Sequence, residues 1–151
     1  MPTATSSDVI DLSSENQTEE LALKIQKKLK IGSIVFLYGE MGVGKTTFVR
    51  YLINSFQKAN KLEMTEVTSP TFNLLNEYQI NQIKVNHYDL FRLKSPKDIK
   101  GLELFGDDKG LILLIEWPQI IKEKPKNLIE LFFEYEKNHQ TRFVKIKGIN
   151  L

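Results

Sequence analysis

Residues 39–46 read Gly39-Glu40-Met41-Gly42-Val43-Gly44-Lys45-Thr46, the spacing G-x-x-x-x-G-K-[ST] of a phosphate-binding loop. The apolar run 34–38 precedes it, and residues 47–53 follow with apolar positions three to four apart. The pattern therefore sits between a buried strand and a helix, the context in which it can work. Glycines let the backbone turn tightly and approach phosphate without a Cβ in the way. Successive N–H groups then point inward, and the following helix adds about half a positive charge at its N-terminus. Lys45 is placed to reach the β- and γ-phosphates, and the Thr46 hydroxyl to hold Mg2+. A glycine-rich turn with an accidental lysine is the bland alternative. Four fixed residue types in a strand–loop–helix context weigh against it.

At 151 residues the chain is expected to be one domain over 1–151, with the small, polar stretch 1–7 disordered. A net charge of +2 gives no argument for strong polyanion binding. The densest basic cluster, 122–126, contains Glu123 and reads as a solvated loop. There are no cysteines, which excludes disulfides, thiolate metal sites and cysteine nucleophiles. No apolar run approaches the ~18 residues of a membrane span, and the N-terminus lacks a secretory pattern. A cytoplasmic protein without a membrane partner is the expectation.

In chain order, residues 9–12 suggest a short edge strand. Ser13 or Ser14 can cap a helix starting near Glu15, with Gln17 completing a capping box on Ser14; the helix should end by Gly32. The helix after the loop is expected to run to about Lys58, and 65–68 to form a short strand. Residues 72–79 and 83–90 suggest an antiparallel hairpin turning at Asn81-Gln82. Ser95-Pro96 opens a helix expected to reach about Phe105 and stop at Gly106. The continuous apolar run 111–115 reads as a strand covered on both faces. Residues 128–135 and 142–149 suggest a second hairpin around the polar turn 137–140. The sum is an α/β fold of the P-loop NTPase type. It is a three-layer sandwich whose mixed parallel and antiparallel sheet has the loop strand at its centre and helices on both faces.

In open α/β sheets the ligand lies outside the carboxyl ends of the strands, and Gly39, Asp89 and Glu116 each fall at or just past such an end. A P-loop NTPase needs a carboxylate near its Mg2+ and a group to orient water. Glu116 closes the apolar run in the Walker B arrangement, with Glu in place of Asp; an exposed acid at a strand end is the weaker reading. Asp89 is balanced between such a role and a turn cap. Arg92 reads as an ion-pair partner of an acid such as Asp89, or as a phosphate contact, and His87 as a packed, hydrogen-bonded histidine. Trp117 is either core or an aromatic at the site mouth. Ser69 and Thr71 belong either to a proline-stiffened turn or to a segment that senses the terminal phosphate.

With these residues assembled, the chain resembles the TsaE family of small bacterial ATPases, needed to make threonylcarbamoyladenosine (t6A) in transfer RNA. The likeness rests on Thr18-Glu19-Glu20-Leu21-Ala22, the loop from Gly39 to Thr47 and Ser69-Pro70-Thr71-Phe72. It continues in His87-Tyr88-Asp89-Leu90-Phe91-Arg92 and Glu116-Trp117-Pro118. The resemblance implies a protein that binds ATP with Mg2+ and hydrolyses it slowly alone. It would dock on a TsaB–TsaD heterodimer and reset it between turnovers, meeting transfer RNA only through that complex. By the same match Lys45 would hold phosphate, Thr46 and Glu116 would lie on the metal side, and Asp89 would serve hydrolysis. The loop residues through Thr47 and Trp117 would line the nucleotide, and the stretch from Glu15 to Thr18 its base or ribose. Departures from the family pattern are mild: Glu40-Met41 for Asp-Leu, Phe91 for tyrosine, Gln119 for glutamate, and Lys124-Pro125 for Leu-Pro. The first rival is a small-molecule or nucleotide kinase on the same fold. It would need an arginine-bearing lid, and the chain has only Arg50, Arg92 and Arg142. A non-enzymatic, nucleotide-dependent regulator is the second rival, weakly opposed by the acids.

Overall fold

The computed structural model describes residues 8–106, 110–136 and 141–151. The expected disorder at 1–7 and the polar turn at 137–140 lie outside them. The strands are β1 (Asp8–Asp11), β2 (Ile34–Tyr38), β3 (Leu75–Ile80), β4 (Ile83–Asp89), β5 (Leu111–Glu116), β6 (Leu128–Tyr135) and β7 (Arg142–Lys147). The helices are α1 (Glu15–Lys28), α2 (Lys45–Ala59) and the short α3 (Pro96–Lys100), with a 3-10 turn at Pro118–Ile120. All seven strands form one sheet in the order β1-β7-β6-β2-β5-β4-β3, so the strand that leads into the loop is the middle one. β2 runs parallel to both β5 and β6, and β4 parallel to β5. Antiparallel pairs finish both edges: β3 on β4, and β7 with β1 beyond β6.

Side-chain periodicity explains the layers. Ser14 caps α1, accepting from the Gln17 N–H while the Gln17 side chain answers its own N–H, the expected capping box. Leu21, Ala22 and Ile25 of α1 and Phe48, Val49, Leu52, Ile53 and Phe56 of α2 turn inward. They pack on Val35, Leu37, Leu114, Leu131 and Phe133 from one sheet face. Each such large side chain contributes about 1.5–3 kcal/mol by burial. On the other face Phe36, Tyr88, Leu113 and Ile115 meet Leu90, Leu104 and Ile121 from the segments around α3 and the 3-10 turn. The middle strands β2 and β5 are thus covered on both faces, as their unbroken apolar runs predict.

Three expected elements differ. Residues 65–68 form no strand: Thr65 is tied to α2 by the amides of Asn54 and Gln57, at 2.9–3.1 Å, which take the backbone groups a sheet partner would need. β3 starts at Leu75 and not at Phe72, because Leu74 N–H bonds back to Pro70 O in a turn that leaves Phe72 82% exposed. The helix at Pro96 stops at Lys100, short of Phe105, and the chain turns so that Leu104 can enter the second core cluster.

Candidate functional site

The parallel register builds the rim. Asp89 of β4 lies level with Glu116 of β5, and Glu116 with Leu37 of β2, two residues before the loop begins. Gly39 accepts a hydrogen bond from the Lys45 ammonium, whose nitrogen also sits 3.8 Å from the centre of the Trp117 ring. Burial pushes the Lys45 amine below its ordinary value, and the nearby Glu116 and Asp89 carboxylates oppose that shift. Gly44 caps α2 at φ +114, a left-handed conformation that suits glycine alone. The N–H groups of Lys45, Thr46 and Thr47 open the helix and have no partner within it.

Glu116 is the hub of the acidic side. It is 3% exposed, and its Oε2 lies 2.6 Å from Nε2 of the fully buried His87 and 3.5 Å from the Thr46 hydroxyl that donates to it. His87 is therefore the packed, hydrogen-bonded residue its surroundings predict, and its second nitrogen, Nδ1, has no partner. Asp89 makes the turn cap that one of its two readings gave, and a second set of contacts besides. Oδ1 caps the following turn by accepting from Phe91 N–H at 3.0 Å, while Oδ2 accepts from the Ser69 and Thr71 hydroxyls at 3.4 and 3.3 Å. Those two hydroxyls lie 2.7 Å apart, so the 69–71 turn is tethered to the rim. Trp117, at φ +56, lies against the Lys45 ammonium and meets the Phe91 ring with centroids 4.8 Å apart. Arg92 lies over the Phe72 ring at 5.0 Å, and makes no ion pair with Asp89.

The structure thus gathers Lys45, Thr46, Asp89, Glu116 and Trp117, with the Ser69–Thr71 turn alongside. Glu15 and Thr18 are not joined to the loop. Glu15 accepts from Arg50 and Tyr51 of α2, each at 3.2 Å, and buried Thr18 bonds back to Ser14 O. The sequence reading missed two features. One is His87 as the direct partner of Glu116. The other is a pair of donors behind the loop: Tyr135 Oη reaches Gly42 O at 2.7 Å, and the Arg142 guanidinium reaches Val43 O at 3.3 Å. A cavity of about 880 Å3 borders the loop at Gly39 and Glu40, yet holds none of Lys45, Thr46, Asp89 and Glu116. Converging polar groups, not volume, mark the site.

Chemically, helix-opening N–H donors beside a buried ammonium suit a polyanion. A hydroxyl and a carboxylate 3.5 Å apart offer hard oxygen ligands of the kind Mg2+ takes, one or two from protein and the rest from phosphate and water. Among the described residues, no helix is long and apolar enough to cross a membrane.

Comparison with known proteins gives the family and the fold. Residues 12–144 match the family described as threonylcarbamoyl adenosine biosynthesis protein TsaE. Relatives described as tRNA threonylcarbamoyladenosine biosynthesis protein TsaE include that of Rickettsia bellii, 44% identical over 80% of this chain and 81% of its own. The Aquifex aeolicus protein is 37% identical over 78% of this chain and 80% of its own. The Rickettsia conorii protein is 44% identical over 74% of this chain, which spans only 61% of that relative's length. The solved structure of Bacillus subtilis YdiB superposes with a TM-score of 0.71 over 96% of this chain and 88% of its own; at 19% identity it shows the shared fold. With a family match over most of its length, the chain belongs to the TsaE family of tRNA threonylcarbamoyladenosine biosynthesis proteins.

Proposed function

We propose that this chain is a Mg2+-dependent ATPase that supports t6A modification by binding and resetting a TsaB–TsaD complex in the cytoplasm. The observation that carries the reading is the meeting of Lys45, Thr46, Asp89 and Glu116 on one rim beside the glycine loop. Lys45 would hold the β- and γ-phosphates once it leaves Gly39 O. Residues 39–47 would cradle the phosphate chain, and Trp117 would flank it. Thr46 and Glu116 would hold Mg2+, whose charge offsets the negative charge of the phosphates. Asp89 would serve hydrolysis, its orientation held by Phe91 N–H and by the Ser69 and Thr71 hydroxyls.

The placement of the arginines supports low turnover in isolation. Arg50 pairs with Glu15, Arg92 lies on Phe72 and Arg142 bonds behind the loop, so none is set against the phosphate side of the loop to neutralise transition-state charge. Exposed Phe72, Phe91 and Met41 around the rim suit a docking surface read out by nucleotide state. The small net charge agrees with contact to transfer RNA through partners only.

The direct test is Lys45→Ala. One preorganised charge contact is commonly worth on the order of a hundredfold in rate, and ATP turnover should fall by about that factor. Wild-type turnover in the variant would sink the assignment. A multi-turnover modification assay with TsaB and TsaD, with and without this protein, tests the partner role; equal yields in both refute it.

A further inference from the structure

We propose that the β6–β7 hairpin holds the loop in its anion-ready shape, with Tyr135 and Arg142 as positioning residues that donate to two successive loop carbonyls, Gly42 O and Val43 O. The inference rests on the nucleotide-binding reading above and adds to it residues that lie far outside the motif.

The geometry begins with the sheet. Tyr135 and Arg142 are directly opposed across the antiparallel β6–β7 pair, so both side chains start from one rigid rung. Arg142 is further fixed by its backbone: its N–H donates to Ser13 Oγ at 3.3 Å, and its carbonyl accepts from Leu12 N–H at 2.8 Å. From that rung the phenol hydroxyl reaches Gly42 O at 2.7 Å and the guanidinium reaches Val43 O at 3.3 Å.

A peptide unit is planar and trans, so its carbonyl and N–H point in opposite directions. Val43 O and Gly44 N–H share one unit. Holding that carbonyl against Arg142 aims the Gly44 N–H the other way and polarises it as a donor. Gly42 O shares its unit with Val43 N–H, which returns to Glu40 O at 3.3 Å and closes the turn. Tyr135 thereby fixes the turn, and Arg142 fixes the donor that follows it.

The loop needs such restraint. Gly42 and Gly44, at φ +81 and +114, permit the nest but also permit other conformations, because they lack the Cβ that would forbid them. A Cβ on Gly44 would lie 3.2 Å from the Arg142 guanidinium, so that side chain occupies the space behind the glycine. Arg142 also brings a fixed positive charge to the back of an anion site.

Calorimetric titration of Mg2+-ADP and of inorganic pyrophosphate tests the proposal on wild type, Tyr135→Phe, Arg142→Ala and Arg142→Lys. Each lost donor should weaken both ligands by about three- to tenfold, the usual net worth of one hydrogen bond. Pyrophosphate has no base, so an equal loss for both ligands locates the effect at the phosphates. Arg142→Lys keeps a donor and should recover part of the loss. Amide NMR of the ligand-free protein supplies a second reading: Arg142→Ala should move the Gly44 amide resonance, and Tyr135→Phe that of Val43. Tyr135→Phe removes one hydroxyl and tests the idea even if Arg142→Ala fails to fold. Unchanged affinities in folded variants, or losses that follow melting temperature and are not rescued by lysine, overturn the proposal while wild-type binding upholds the nucleotide reading. Absence of binding by wild-type protein overturns both.

Discussion

Glu116→Ala should destabilise the fold as well as stop hydrolysis, and the cost can be worked from the buried pair. His87 is fully buried, and among the described residues Nδ1 has no partner and Nε2 has only Glu116 Oε2. Alanine at 116 would leave both ring nitrogens unmatched in the core. One newly orphaned buried donor costs about 1–3 kcal/mol. The lost methylene adds about 0.8 kcal/mol, while removing a buried carboxylate relieves part of its own desolvation. A net loss of about 1–3 kcal/mol follows. At about 2–4 °C per kcal/mol for a chain of this size, the melting temperature should fall by roughly 2–12 °C. The assay is thermal unfolding by circular dichroism without nucleotide or metal. Glu116→Gln keeps the volume and an oxygen that accepts from Nε2, so it should melt near wild type while losing Mg2+-dependent turnover. His87→Leu/Glu116→Leu removes both partners and should be more stable than Glu116→Ala. An alanine variant that melts within about 1 °C of wild type, or a glutamine variant that falls as far as alanine, would refute the reasoning.

Two further substitutions probe the frame around the site. Hydrogen bonds from the Ser13 hydroxyl and N–H and from Gln17 hold the Asp11 carboxyl below its ordinary value. The folded state therefore binds fewer protons than the unfolded one, and this contribution is present above the ordinary carboxylate range and lost as pH falls through it. Wild type should melt above Asp11→Asn at neutral pH, with the gap closing on acidification; a gap independent of pH would contradict this. Gly148→Ala should destabilise by at least about 1–3 kcal/mol in urea, because the residue sits at φ +91 and a Cβ would lie 2.1 Å from Leu128 O. Wild-type stability there would show that the end of β7 lies elsewhere.

Local signals carried most of the fold. The loop, the unbroken runs of β2 and β5, and the Ser14–Gln17 box are each written within a few adjacent residues, so periodicity and cap chemistry suffice to find them. Glu116 and Asp89 were legible as acids at strand ends because the parallel register then brings them level. What stayed hidden depends on partners outside the local stretch of sequence. The amides that take up Thr65 come from α2, and no pattern within 65–68 announces them. His87 meets Glu116 across 29 residues. Tyr135 and Arg142 meet the loop across 93 and 99 residues. A tyrosine and an arginine flanking a hairpin turn look like ordinary surface residues until the topology folds them behind a glycine loop. Glu15 adds a contact of the same kind: Arg50 and Tyr51 of α2, 35 and 36 residues on, donate to its carboxylate.

The pairing of β1 with β7 sets a timetable for folding. Val9 sits opposite Lys145 and Ile10 opposite Val144, so the first strand waits for the last of the seven. As the chain leaves the ribosome, the glycine loop and α2 emerge long before the rung that carries Tyr135 and Arg142. The parallel partners of β2 come later still than its own helix, and such non-local contacts form slowly because the loop-closure entropy comes first. A nascent chain that has passed Lys45 but not Arg142 therefore carries a complete phosphate-binding motif on an unfinished scaffold. The motif is spelled early, and the strands that give it a shape close last.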